Sequence, residues 1–164
     1  MTGISLIWQF GRAGEYGKLP ASQVGVNCRR STQQSSILAI DDEVGFLGFL
    51  KMALECEGYT VHVASDPCEA LEFYAERGRD VSMVLLDFLL PKMSADVVFD
   101  ELQQLNPDVR VVLLTACDEF VAERMFKRGL RGYLQKPFDL QDLSQRVRQA
   151  IDDPVGSVSS PSQE

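Results

Sequence analysis

The chain has 164 residues, of which 45% are hydrophobic and 24% charged, the composition of a globular domain with a sizeable core. Its formal net charge of -8 at pH 7 argues against non-specific binding to nucleic acid. No apolar run approaches the length of a membrane span, and the short apolar stretch at residues 4–8 has no basic leader, so we expect neither membrane contact nor secretion. The four cysteines are widely spaced, which favours reduced thiols in the cytoplasm.

The two ends of the chain differ in pattern from its middle. Residues 1–35 are rich in glycine and end in a polar run, with no persistent helical or strand period. We interpret them as a flexible N-terminal extension that is dispensable for folding and is either without a role of its own or a docking arm. Residues 152–164 contain two prolines and four serines, and we interpret them as a disordered C-terminal tail.

Between these ends, short apolar runs alternate with segments of helical period. The runs predict strands near residues 37–41, 60–64, 81–87, 110–115 and 132–136. Strands that are separated by helices form parallel sheets, because each crossover helix returns the chain to the same direction. The pattern therefore predicts one α/β domain at residues 36–151, a three-layer α/β/α sandwich around a parallel five-stranded sheet.

Local signals mark where each intervening helix begins and ends. The first helix follows Asp42 and stops at Gly58, and the second has an N-cap at Asp66 with a proline at its first position. The remaining signals are Gly78 for the end of the second helix, Ser94 and Asn106-Pro107 for the third, Asp118 and Gly129 for the fourth, and Asp139 for the start of the fifth, whose predicted apolar face is Leu140, Leu143, Val147 and Ile151.

Charged or hydroxyl side chains stand at the ends of four predicted strands: Asp41 and Asp42, then Asp87, Thr115 and Lys136. The carboxyl ends of parallel strands line one crevice, so these side chains are expected to converge. Crowded carboxylates favour a divalent cation, and a carboxylate can attack phosphorus. A hydroxyl and an ammonium can bind the oxygens of a phosphoryl group, so the pattern predicts a site for a cation and a phosphoryl group.

Each of these residues also has an ordinary interpretation. An aspartate after a strand is often a turn residue or a helix cap, and a single lysine is usually a solvated surface residue. The single histidine, His62, lies in an alternating strand pattern and is best explained as a plain strand residue. For the five site residues the ordinary interpretations fail jointly, because all of them fall at one edge of one predicted sheet.

Four motifs carry a resemblance to a known family: ILAIDDE at residues 37–43, LLDFLLPKM at 85–93, LTA at 114–116 and GYLQKPF at 132–138. Together they resemble the receiver domain of two-component response regulators, over roughly residues 36–151. The resemblance implies a flavodoxin-like sheet with strand order 2-1-3-4-5. It also implies a signalling switch that accepts a phosphoryl group and then changes its partner-binding surface, with no catalysis beyond its own phosphorylation and dephosphorylation.

The same resemblance implies a phospho-acceptor and a metal site. Asp87 matches the residue that accepts the phosphoryl group. Its implied neighbours around a bound Mg²⁺, with Mn²⁺ as an alternative cation, are Asp41, Asp42 and the backbone carbonyl of Leu89.

Three further residues take their implied roles from the resemblance. Thr115 and Lys136 match the groups that bind phosphoryl oxygens, and Thr115 acts together with the aromatic switch residue Tyr133. The Lys136-Pro137 peptide bond is expected to be cis. The implied partners are a sensor histidine kinase or a histidine phosphotransfer protein as donor and a separate downstream effector, and the implied assembly is a monomer or a phosphorylation-dependent dimer.

Two departures from the family pattern and two rival functions remain. Ser94-Ala95 stand where the family often has Asp-Gly, and neither Leu89 nor Cys117 offers a group that orients water, so we expect a long-lived phosphoryl group. An aspartate-nucleophile phosphohydrolase is disfavoured, because such enzymes place a second aspartate at the position of Leu89. A degenerate receiver that only binds partners is disfavoured by the complete set of site residues.

Overall fold

The structure is a computed structural model that describes residues 35–116 and 124–152. Most of the predicted extension (residues 1–34), residues 117–123 with Cys117 and Asp118, and residues 153–164 of the predicted tail lie outside the described residues. The described strands are β1 (Ser36–Ile40), β2 (Thr60–Ala64), β3 (Val81–Asp87), β4 (Val111–Thr115) and β5 (Gly132–Gln135). The helices are α1 (Val44–Cys56), α2 (Pro67–Arg77), α3 (Ala95–Leu105) and α4 (Leu140–Asp152), and a 3-10 turn at Gly78–Asp80 joins α2 to β3.

The five strands form one parallel sheet in the order β2-β1-β3-β4-β5, which confirms the predicted fold class. The central strands are covered on both faces, and for this reason their sequences are continuous apolar runs rather than alternating ones. In the register of the sheet, Ile40 lies beside Leu86 and Asp87 lies beside Leu114. The chain therefore leaves β1 and β3 at neighbouring points of the same edge.

Alternate residues of each strand enter two separate hydrophobic cores, as the two-residue period of a strand requires. Leu38 and Ile40 of β1 face the core that α2 and α3 cover. Ile37 and Ala39 face the core that α1 and α4 cover. The sheet is therefore the middle layer of three, between the helix pair α2 and α3 and the helix pair α1 and α4. Among the described residues, no helix has both the length and the apolar character to cross a bilayer.

Glycines with left-handed backbone end two helices, as the sequence predicts. Gly58 follows α1 with a φ of 96°, and Gly129 follows the helical turn at residues 124–126 with a φ of 103°. In both places the glycine amide and the next amide bond back to carbonyls of the last turn, which satisfies groups that would otherwise lack partners. A side chain at either position would be strained by this backbone conformation.

The predicted N-cap at Asp66 is confirmed. Ser94 also begins a helix as predicted, but not through its side chain. The Asp66 carboxylate accepts a hydrogen bond of 2.8 Å from the Cys68 amide, directly before Pro67 opens α2. Ser94 occupies the N-cap position of α3, but its hydroxyl makes no capping bond. Its backbone carbonyl instead accepts hydrogen bonds from two amides of the first turn, so the backbone alone begins this helix.

The apolar face of the last helix begins one turn later than predicted, while Leu143, Val147 and Ile151 lie on it as predicted. Leu140 is about half exposed, so the prediction that it lies in the core is wrong. Leu143, Val147 and Ala150 are the buried residues of α4, with Ile151 packed beside them. Leu140 lies in the first turn of α4, just after Asp139, whose carboxylate accepts a bond from the Asp142 amide, and this turn extends past the edge of the core.

Candidate functional site

Three carboxylates meet at the carboxyl edge of the sheet. Asp87 ends β3, and Asp41 and Asp42 directly follow β1, so the register brings them to adjacent points. One oxygen from each carboxylate lies within 4.8 Å of the other two. Asp41 and Asp87 are buried, at 1% and 5% exposure, whereas Asp42 is exposed. This combination of crowded oxygens, two of them on buried side chains, suits a hard divalent cation that keeps part of its water shell.

The ammonium of Lys136 joins the two buried carboxylates. Its Nζ donates a hydrogen bond of 2.7 Å to Asp41 Oδ2 and one of 2.7 Å to Asp87 Oδ1. Burial lowers the pKa of Lys136, but the hydrogen bonds and negative charges of the two aspartates outweigh it and raise that pKa above its usual 10.5. Lys136 is therefore a fixed cation at neutral pH, placed directly beside the candidate phospho-acceptor.

Backbone amides of the following loops hold the remaining oxygens of the two buried carboxylates. Asp41 Oδ1 accepts a hydrogen bond of 2.8 Å from the Glu43 amide, and Asp87 Oδ2 accepts one of 2.8 Å from the Leu89 amide. Short side chains that bond two residues ahead form Asx turns, which fix the carboxylate relative to its own backbone. Asp41 and Asp87 are thus oriented before any ligand binds.

Thr115 and the start of the last loop complete the edge. Thr115 is buried at the end of β4, and its carbonyl accepts a hydrogen bond of 2.7 Å from the Lys136 amide. The structure therefore places the predicted phosphoryl-binding residues next to each other. The Lys136-Pro137 peptide bond is cis, as the resemblance implies.

Tyr133 lies on β5, three residues before Lys136, and is half-buried against the core below α3. Its ring meets that of Phe126 edge to face, with 6.0 Å between the ring centres. Phe126 belongs to the helical turn that ends at Gly129, so Tyr133 joins the site strand to that turn. Its predicted role as a switch residue stays a prediction.

Two contacts at the site were not predicted from the sequence. The Lys136 ammonium lies 4.3 Å from the centre of the Phe46 ring in the first turn of α1, a cation–π contact that covers one side of the cation. Lys92, in the loop after Asp87, has a left-handed backbone with a φ of 68°, and its ammonium bonds to Asp66 at 2.5 Å. Both contacts join residues distant in sequence, so no local pattern indicates them.

Comparison with known proteins identifies the family. Residues 37–148 match the family model of the response regulator receiver domain, and the chain belongs to this family. Response regulator MprA of Mycobacterium leprae is 35% identical over 130 residues, an alignment that covers 75% of this chain and 56% of that protein. The chain thus spans about half the length of curated relatives of this kind.

Solved structures agree with this assignment. A response regulator receiver domain protein from Clostridium thermocellum has a TM-score of 0.69 and 34% identity, covering 72% of this chain and 94% of that one. The response regulator TrrA from Thermotoga maritima, solved in complex with Mg²⁺-BeF, has a TM-score of 0.63 and 27% identity, covering 71% and 99%. The fold of the solved structures and the family match therefore lead to one conclusion.

Replacing Lys136 with Met tests how far this lysine balances the buried carboxylates. In metal-free buffer at pH 7 we expect a lower Tm, because Asp41 and Asp87 stay buried without a counter-charge. The free energy of unfolding should fall by about 3 kcal/mol. Calorimetry of wild type and Lys136→Met measures the loss. Lys127→Met, which removes an exposed lysine, is the control and should leave the Tm unchanged. Adding Asp87→Asn to Lys136→Met should recover part of the loss, and an unchanged Tm in Lys136→Met would contradict the prediction.

Proposed function

We propose that this receiver domain is a phosphorylation switch that accepts a phosphoryl group on Asp87. The observation that carries the proposal is the position of Asp87, which is buried at the sheet edge between two further carboxylates and a bonded ammonium. One carboxylate oxygen of Asp87 forms a bond to phosphorus while the bond from phosphorus to the donor's imidazole nitrogen breaks. The product is an acyl phosphate on Asp87 and a free histidine on the donor.

The residues around Asp87 fit the needs of this transfer. Negative charge spreads over the phosphoryl oxygens in the transition state, so fixed positive charge and hydrogen-bond donors lower its energy. The Lys136 ammonium can bind one phosphoryl oxygen. The Thr115 hydroxyl, at the same edge of the sheet, can donate a hydrogen bond to another. Phosphoryl binding gives Lys136 a new acceptor in place of the one it now has on Asp87.

A divalent cation fits the three carboxylates, and we propose Mg²⁺, with Mn²⁺ as a substitute. Asp41, Asp42 and Asp87 would hold it, together with the backbone carbonyl of Leu89 in the loop after β3. When bound, the cation supplies the positive charge that neutralises phosphoryl oxygens and offsets the repulsion among the carboxylates. The Mg²⁺-BeF complex of the Thermotoga relative supports the choice of metal.

The partners follow from the chemistry of the transfer. The donor is a sensor histidine kinase or a histidine phosphotransfer protein, and the response is read by a separate effector protein in the cytoplasm. Acyl-phosphate formation draws Thr115 toward the phosphoryl group and favours an inward position of Tyr133. This changes the surface formed by the fourth predicted helix, which ends at Gly129, together with β5 and α4. The protein acts as a monomer or as a phosphorylation-dependent dimer.

Two rival functions make different predictions about labelling. A phosphohydrolase would release phosphate from a small substrate in many turnovers, but the residue two after Asp87 is Leu89, which offers no acid. A receiver that only binds partners would take up no phosphate, although it would keep the same fold. Stoichiometric labelling that depends on a divalent cation separates the proposed switch from both.

Asp87→Asn tests the acceptor. With acetyl phosphate and Mg²⁺, intact-mass spectrometry of the wild type should show one added phosphoryl group, and chelation of the metal should abolish it. Asp87→Asn should show none, because an amide cannot attack phosphorus under these conditions. Asp108→Asn, at an exposed loop position remote from the site, should label like the wild type. Labelling that persists in Asp87→Asn would place the acceptor elsewhere.

Leu89→Asn tests the control of dephosphorylation. The Leu89 side chain is 60% exposed, so it can cover the phosphoryl group from the solvent side without filling the core. Hydrolysis needs a water placed in line behind phosphorus, and a leucine cannot orient one. We expect a wild-type lifetime of roughly minutes to hours, shortened about tenfold in Leu89→Asn because an amide can bond the attacking water. Decay of the label after donor removal measures both rates.

The control for this experiment is Leu105→Asn, which places the same amide at another half-exposed leucine, at the end of α3. Its decay rate should match that of the wild type. Wild-type decay within seconds, or equal decay in Leu89→Asn and wild type, would mean that Leu89 does not govern access of water.

Tyr133→Ala tests the switch. The substitution removes the ring that contacts Phe126 but leaves Lys136 and the carboxylates in place. Phosphorylation should remain largely intact, whereas the difference in partner affinity between phosphorylated and unphosphorylated forms should shrink. Tyr133→Phe keeps the ring and should retain most of that difference if ring packing carries the signal. Isothermal titration calorimetry with the effector measures the affinity of each form. If Tyr133→Ala keeps the wild-type difference in affinity between the two forms, the switch lies elsewhere.

A further inference from the structure

A second polar cavity lies at the opposite edge of the sheet from Asp87. It has a volume of about 570 Å³ and is lined at the amino ends of the strands, where Ser36 begins β1, Thr60 begins β2, Ser82 lies near the start of β3 and Arg110 precedes β4. Arg79 reaches it from the 3-10 turn before β3. Six residue steps along β3 separate its start from Asp87, a distance of about 20 Å, so this cavity is not part of the phosphorylation site.

The cavity contains two cations without carboxylate partners. Neither Arg79 nor Arg110 forms an ion pair with any residue in the described part of the chain, although Asp80 lines the same cavity. The protein as a whole carries a net charge of -8, so carboxylates are plentiful on its surface. Two unpaired guanidinium groups at one cavity of an acidic protein leave a local excess of positive charge.

Two buried hydrogen-bond donors at the same cavity also lack acceptors. Ser36 is only 8% exposed, and its hydroxyl has no hydrogen-bond partner among the described residues. The Nε of Arg110 is buried and equally without a partner. The Ser36 amide donates a 3.2 Å hydrogen bond to the Ser82 hydroxyl oxygen, so the backbone amide of Ser36 has a partner where its hydroxyl has none. A buried donor that stays unpaired costs free energy, and rotation of the Ser36 hydroxyl or the Arg110 side chain toward the cavity would let a ligand oxygen remove that cost.

We propose that this cavity binds a small oxyanion of the phosphate class, either inorganic phosphate or the phosphate of a small phosphomonoester. The two guanidinium groups supply charge and forked donors that match phosphate oxygens, and the Ser36 hydroxyl supplies a neutral donor at the buried side. The cavity is larger than a phosphate group alone requires, which leaves room for an organic substituent. Among the described residues, Asp80 is the one acidic residue that lines the cavity, and its charge limits the affinity for an anion.

Amide chemical shifts of the full-length protein locate such binding directly. Sodium phosphate is titrated at pH 7 with EDTA present, against sodium chloride at equal ionic strength, so that no metal draws phosphate to the carboxylate site. We expect saturable shifts at the amides of Ser36, Ser82 and Arg110, with a millimolar Kd, and none at Asp41 or Asp87. A parallel titration with glycerol phosphate identifies the source: tighter binding indicates a phosphomonoester, and equal binding indicates free phosphate.

Four variants separate a ligand site from a structural role. Arg110→Gln should weaken phosphate binding at least about tenfold, and Asp80→Asn should tighten it about threefold because a repelling charge is lost. Ser36→Ala should weaken binding without lowering the Tm of the free protein, since its hydroxyl has no partner to lose. Arg124→Gln, which removes an exposed arginine elsewhere, should bind like the wild type.

Three results would overturn the proposal. The first is a shift that never saturates or that chloride reproduces, which would show only general screening. The second is saturable binding at other amides. The third is an Arg110→Gln variant with a lower Tm and an unchanged titration, which would mean that Arg110 only neutralises the carboxyl ends of the neighbouring helices.

Discussion

The bond from Lys136 to two buried carboxylates is the interaction on which the site depends. Asp41 and Asp87 are nearly inaccessible to solvent, and both bond to the same ammonium. Without that ammonium, two neighbouring buried negative charges would be strongly unfavourable. Lys136, which balances their charge, directly follows β5. The two carboxylates are therefore tolerated only when β1, β3 and β5 are all in place. The site and the folded sheet are therefore formed together, and this arrangement of charges requires the correct fold.

This balance also explains why the edge suits a transferable group. The ammonium holds one oxygen of each buried carboxylate, and backbone amides hold the others, so the free protein is already oriented. In the proposed transfer, the phosphoryl group and the cation would bring charges of both signs to positions that already contain both. The rearrangement is then an exchange of partners within a fixed frame, which costs less than building the frame around the ligand.

The sequence was a good guide wherever a short apolar run decided the structure. The predicted strands differ from the described ones by one residue at most, and the five site residues meet because parallel strands end at one edge. The failures involve choices with no local signal. The backbone of Ser94 rather than its hydroxyl begins α3, and Leu140 lies beyond the core. The contacts of Phe46 with Lys136 and of Lys92 with Asp66 join segments brought together only by the fold.

The assignment of alternate strand residues to two different cores has a consequence for how this sequence can change. A substitution within β3 exchanges one side chain in one core, and the rest of the strand keeps its place. An insertion or deletion of a single residue turns every later side chain toward the wrong core, and it also moves Asp87 away from the sheet edge. Length changes in β3 are thus penalised twice, whereas the loops beyond the edge can gain or lose residues without disturbing this count.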